Sequence, residues 1–138
     1  MTDVLFRFDV DAAPGDVLGA VKTTNGIKGF WTSRATVPAA VGDTVSVEFE
    51  QAPMPFDLRL EQSDDQSVVW RTETFPPHWV GTSIHWHVTG REGGSTVDFR
   101  HDGLPDDTET GSVAYTWGQV MVRLKEYAET GTPNPLFS

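Results

Sequence analysis

Hydrophobic and polar residues alternate from the start of the chain. In Val4-Leu5-Phe6-Arg7-Phe8-Asp9-Val10, Val4, Phe6, Phe8 and Val10 share one face while Arg7 and Asp9 share the other, the two-residue period of a half-buried strand. The period then changes. Ala13-Pro14-Gly15-Asp16 opens a short helix, because proline suits a first helical turn and Val17, Leu18 and Val21 recur at helical spacing. A second short helix is expected through Ile27-Lys28-Gly29-Phe30-Trp31. From Arg34 to Gly103 the pattern returns to strands. Val45, Val47 and Phe49 face one way against Ser46, Glu48 and Glu50, and Phe56, Leu58 and Leu60 oppose Asp57, Arg59 and Glu61. Ser63-Asp64-Asp65-Gln66 has turn composition, after which Val68 and Trp70 continue the apolar face.

Thr82 to Thr89 and Ser95 to Asp102 flank the glycine-rich turn Gly90-Arg91-Glu92-Gly93-Gly94 and so predict a hairpin. Pairing Thr89 with Thr96 sets Val88 opposite Val97, Trp86 opposite Phe99, Ile84 opposite His101, His87 opposite Asp98 and His85 opposite Arg100. A slip by one residue would turn one apolar set to solvent, so the pattern selects this register. The last element has a helical period: Val113, Trp117, Val120, Met121, Leu124 and Tyr127/Ala128 form one stripe between Thr108 and Thr130. Asp106, Asp107 and Glu109 complement the positive end of that helix, and Gly131 followed by Pro133 stops it.

Composition narrows the class. The chain has 138 residues, room for one domain over 1–138 with a hydrophobic core, and its 38% apolar content with eight Phe and five Trp is unlike a disordered tail. With no cysteine it has no disulfide framework, thiolate nucleophile or thiolate-held metal. Twenty acidic against 10 basic side chains leave a net charge of -10, which argues against nucleic acid and anionic membranes as partners. No run approaches the roughly 20 apolar residues of a membrane helix, and the start lacks a basic segment followed by an apolar one. A soluble cytoplasmic protein without membrane insertion is expected.

The order of elements, ending in one long helix across a curved antiparallel sheet, resembles the α+β helix-grip fold of the START-like, birch-pollen-allergen-like (SRPBCC) superfamily. Within it the sequence is similar to the branch named after the activator of heat-shock-protein ATPase. The resemblance is carried by Asp11-Ala12-Ala13-Pro14-Gly15-Asp16-Val17, Gly29-Phe30-Trp31, Val68-Val69-Trp70-Arg71, the Gly81-Thr82 to Trp86 strand, the segment Ser95 to Leu104, and Trp117. It implies an apolar or amphipathic small molecule held between the helix and the concave sheet face. In a minority of relatives it implies cyclase or hydrolase chemistry in that space. It also implies, more distantly, a chaperone partner.

The residues whose inward parity or helical stripe converges on this space are the candidate ligand contacts: Phe30, Trp31, Phe49, Leu58, Trp70, Thr72, Trp86, Phe99, His101, Val113, Trp117, Val120 and Met121. Such a set packs into a closed core or lines a pocket. A curved sheet gripped by one helix is hard to fill, and ligand sites are apolar with a few converging polar groups. Trp70, Trp86, Trp117 and Tyr115 are candidate donors into it. His101 serves either as a ligand-binding or acid-base group, or as a core histidine bonded to Thr72 or to backbone.

Other constellations carry less. His85 and His87 share a strand face with Asp98 opposite, a set of metal-ligating types, but Trp86 points inward, so the histidines point to solvent beside Arg100. Gly90 to Gly94 lacks the helix and lysine of a phosphate loop, and no Gly-x-Ser-x-Gly elbow occurs. Asp64-Asp65 and Asp106-Asp107 are solvated turn acids. Pro76-Pro77-His78-Trp79 forms a loop whose Trp79 either caps the core or sits at the mouth of a pocket. No catalytic residue, metal ligand or cofactor is assigned. The expected function is binding of an apolar or aromatic small molecule. The alternatives are a cyclase- or hydrolase-type enzyme with His101 as proton shuttle, or an interaction domain for a chaperone; a homodimer is compatible with the sequence.

Overall fold

The computed structural model describes residues 1–138. Strand β1 (Thr2–Val10) leads into two short helices, α1 (Pro14–Lys22) and α2 (Thr24–Phe30). Six strands follow: β2 (Ala35–Thr36), β3 (Thr44–Val47), β4 (Phe56–Ser63), β5 (Ser67–Thr72), β6 (Ser83–Arg91) and β7 (Gly94–Leu104). A single 3-10 turn, Pro77–Trp79, interrupts the run between β5 and β6, and α3 (Thr108–Thr130) ends the series. The strands form one seven-stranded sheet in the order β1-β7-β6-β5-β4-β3-β2, with every neighbouring pair antiparallel. Helices α1 and α2 therefore carry the chain from one sheet edge to the other. Register shifts between Thr2 and Val4 and between Leu60 and Gln62 mark bulges, which bend and twist a sheet. The element order is the one the hydrophobic pattern predicts, and the architecture is the α+β helix-grip fold that the resemblance implies.

The β6–β7 register is the predicted one, with Trp86 opposite Phe99 and Ile84 opposite His101. The turn is tighter than predicted. Gly90 still pairs with Ser95 and Arg91 with Gly94, so only Glu92 and Gly93 lie between the strands. The glycine-rich composition conceals this, because glycines in paired positions look like loop.

Helix α3 begins at an Asp107 cap whose side chain accepts from the Thr110 N–H, and it stops at Gly131, where φ is 74° and the N–H bonds back to the Tyr127 carbonyl. A left-handed residue at this place is a common helix terminator that glycine adopts without a Cβ penalty. The buried face of the helix is Thr110, Trp117, Val120, Met121 and Leu124. Tyr115 does not join it. It is 75% exposed, because two residues along a helix rotate a side chain by about 200° away from Val113 and Trp117.

Beyond α3 the chain doubles back on α2. Asn134 N–H bonds to Gly29 O, Leu136 N–H to Phe30 O, and Phe137 N–H to Trp31 O, while Ser33 N–H returns a bond to Phe137 O. No periodicity announces this return, since it is made by main-chain groups. No helix is long and apolar enough to cross a membrane.

Candidate functional site

All five tryptophans are buried, and they divide the space beneath α3 into two parts. Against the sheet the space is filled. Trp70 meets Trp86 at 5.4 Å between ring centroids, Trp86 meets Phe99 at 4.8 Å and Phe30 at 6.1 Å, and Leu58 is fully enclosed beside them. Two rings close this layer from above. Trp31, at the C-terminal end of α2, lies parallel to Trp70 at 6.0 Å, and Trp117 of α3 sits 4.7 Å from Phe99.

On the far side of Trp31 and Trp117 there is open space, a cleft of about 330 Å³ beside the N-terminal half of α3. Its rings are Trp31, Phe49, Phe56, Trp79, Trp117 and Phe137; its helical wall adds Glu109, Ser112, Val113, Thr116 and Val120; Gln51, Ala52 and His78 complete it. Each ring is held by another. Phe49 touches Trp31 at 5.7 Å, Phe56 at 4.7 Å and Phe137 at 5.0 Å, and Trp79 stacks on Trp117 at 5.8 Å. Glu109, Ser112, Gln51 and His78 are exposed, so the cleft opens to solvent on that side. A wider hollow of about 640 Å³ lies on the outer sheet face, but it is lined largely by polar and charged residues such as Arg7, His85, His87, Asp98 and Arg100.

Of the residues singled out in the sequence, Trp31, Phe49, Val113, Trp117 and Val120 line the cleft. Phe30, Leu58, Trp70, Thr72, Trp86, Phe99, His101 and Met121 are buried outside its lining. Phe56 was visible as an inward strand position, and Trp79 as a loop residue near a mouth. Phe137 had no local signal, because only the returning tail brings it there. Glu109, Ser112 and Thr116 escape a hydrophobic count because they are polar residues on an otherwise apolar stripe.

The segment carrying His78 and Trp79 is anchored by Asp57. Its carboxylate accepts from the Thr74 and Phe75 N–H groups and from the Thr74 hydroxyl. Burial alone would raise the pKa of Asp57, but these bonds outweigh it and hold the carboxyl below its ordinary value.

His101 is wholly enclosed between β7, α3 and the 3-10 turn. Its Nδ1 accepts the Trp117 indole N–H at 3.0 Å, and its Nε2 meets the Thr82 hydroxyl at 2.8 Å. Thr82, not Thr72, is the partner, because Thr72 belongs to β5, two strands away from β7. The Thr72 hydroxyl and the indole N–H groups of Trp70, Trp79 and Trp86 are buried without a hydrogen-bond partner. Burial, reinforced by His78 and His85 and opposed by Asp102, lowers the His101 pKa to about 4. A ring with both nitrogens engaged, outside the cleft lining and holding the wall residue Trp117 from behind, is built as a structural group.

The outward histidines are partnered separately. His87 Nδ1 lies 2.8 Å from the Ser67 hydroxyl, His85 Nε2 lies 3.0 Å from Asp102, and Asp98 accepts from Arg7 at 2.6 Å.

No protein-family model matches the sequence, and no curated protein does either. Solved structures do. The Aha1 dimer from Colwellia psychrerythraea superposes with a TM-score of 0.84 at 24% identity, over 95% of this chain and 98% of that one. Protein SSP2350 from Staphylococcus saprophyticus gives 0.79 at 20% identity, over 99% and 98%. DynU16, a putative protein in the dynemicin biosynthetic locus, gives 0.78 at 20% identity; the match covers 95% of this chain and 48% of that one. These likenesses, all at 24% identity or less, show a shared helix-grip fold.

Proposed function

We propose that the domain binds an apolar or aromatic small molecule in the cleft between α3, the β3–β4 connection and the 3-10 turn. The observation that carries this reading is the open space itself: six aromatic rings surround about 330 Å³, with the polar groups gathered on the solvent side. That volume is at the small end of ligand pockets, which run from about 300 to 1,000 Å³. In this reading Trp31, Phe49, Val113, Trp117 and Val120 touch the ligand together with Phe56, Trp79 and Phe137. Trp70, Trp86, Phe99, Phe30 and Leu58 back the floor and hold Trp31 and Trp117 in place. His101 positions Trp117 and takes no acid-base part. The likeness to a protein of a biosynthetic locus supports a small-molecule role over a macromolecular one.

The test uses the tryptophans in the wall. Fatty acids, polyketides, flavonoid-like compounds and aromatic amines are titrated while intrinsic fluorescence and thermal stability are followed. Saturable quenching with a matching rise in melting temperature is expected for at least one aromatic compound. Silence across the panel would sink the reading.

Self-association is a second reading, favoured by one feature. β1 is an edge strand with Leu5 68% exposed on its outer side, and the Colwellia protein is a dimer. Light scattering after gel filtration gives the answer directly.

A further inference from the structure

Two features of the cleft bear on the charge of what it takes. Its walls carry six aromatic rings, three of them indoles, and its lining contains one carboxylate, Glu109, but no lysine or arginine. Resting on the cleft as a binding site, we propose that its occupant is an organic cation, an amine or quaternary ammonium on an aromatic or compact apolar body.

The physics runs in one direction. Ring faces carry the negative end of the aromatic quadrupole, so an ammonium placed over Trp79 or Trp117 is attracted to them, and more strongly as water is excluded. Glu109 stands at the exposed rim, where it meets a charged headgroup without the cost of being buried. Ser112, Thr116 and Gln51 add neutral oxygens able to accept from an amine.

A helix N-terminus on its own would favour an anion. At α3 that positive end is already met by the Asp107 cap and by Glu109 in the first turn. His78 also lines the cleft, at its exposed rim. The preference for cations stands on the rings and Glu109. The net charge of -10 draws cations from a distance. A fatty-acid carboxylate would find no basic partner in the cleft and would face Glu109.

The experiment compares three probes on one ring: naphthylethyl-trimethylammonium, naphthylethanol and naphthylacetate, titrated calorimetrically at mildly alkaline pH in low and high salt. The cation is expected to bind about tenfold tighter than the alcohol, and the acid more weakly than either. Salt should narrow the gap between cation and alcohol. Glu109→Gln should shrink the cation-to-alcohol ratio, and Glu109→Lys should shrink it further. Equal binding of cation and alcohol, or tightest binding of the acid, overturns the cation assignment and leaves the cleft a binding site. Binding by none of the three overturns both.

Discussion

Trp117 donates its indole N–H to Nδ1 of His101 across 3.0 Å, and that one bond fixes the protonation of the ring. An Nδ1 that accepts leaves the hydrogen of a neutral imidazole on Nε2, which therefore donates to the Thr82 hydroxyl at 2.8 Å. Thr82 in turn donates to the Trp79 carbonyl at 2.6 Å. The result is a one-way chain from α3 through β7 to the 3-10 turn, and it sets two walls of the cleft, Trp117 and Trp79, relative to each other. A protonated His101 would set N–H against N–H.

That chain makes folding stability depend on pH. His101 has a pKa of about 4 in the folded protein against an ordinary 6.5, so between these values the unfolded chain binds the proton and the folded one does not. The contribution is fully present above about pH 6.5 and is lost as pH falls toward 4, to a total on the order of 3 kcal/mol. Urea denaturation at stepped pH should show this slope, and His101→Gln should flatten it between pH 6.5 and 5, above the main carboxylate range. Equal slopes in the two proteins would remove the basis for a buried neutral ring.

The members of the chain should also fail together. Trp117→Phe leaves Nδ1 of His101 as a buried acceptor without a donor, and Thr82→Val leaves Nε2–H without an acceptor; each should cost about 1 to 3 kcal/mol. The double variant should cost clearly less than the sum, because one broken link already frees the ring from its fixed orientation. Strict additivity in a denaturation cycle would mean that the bonds act independently.

The legible and the hidden parts of this fold differ by range. The β6–β7 register and α3 were readable because alternation and helical stripe are local signals tied to one buried face. The same signals placed Trp70, Trp86 and Phe99 inside correctly, yet they could not tell a filled layer from a lining. Whether a space is full depends on how Trp31 and Trp117 lie over those rings, which is a matter of packing between distant elements. Phe137 was invisible for a related reason: its place is set by main-chain bonds to Trp31 and Ser33, which leave no trace in side-chain pattern. Thr72 or backbone is the partner the sequence offers a structural His101, and the contact with Thr82 instead depends on strand order, which inward parity does not encode.

Close packing of α1 on α2 gives a matched pair of substitutions. A Cβ on Gly26 would lie 2.1 Å from the Ala20 carbonyl oxygen, a backbone atom that cannot step aside. Gly26→Ala should therefore destabilise by about 3 kcal/mol or more. Gly111, exposed in the first half of α3, has nothing within 4 Å of the same added atom, and Gly111→Ala should stabilise by about 1 kcal/mol through helix propensity. Thermal melts of the two variants should move in opposite directions.

The cleft itself is tested by filling it and by opening it. Val113 faces the space from α3 and is only partly buried, so the larger side chain of Val113→Trp enters open volume without displacing core. Stability should change by less than about 1 kcal/mol while binding of an aromatic probe falls by more than about tenfold. Phe137→Ala does the reverse to the wall. It removes the edge contact with Phe49 at 5.0 Å and 79°, costing about 1 kcal/mol of stability, and it weakens the probe by a lost aromatic surface without blocking entry. Dissociation rates separate the two cases: the filled cleft shows no bound population, whereas the opened one binds and releases faster. If Val113→Trp left probe binding intact, the ligand would have to sit elsewhere, and the polar hollow on the outer sheet face would become the place to look.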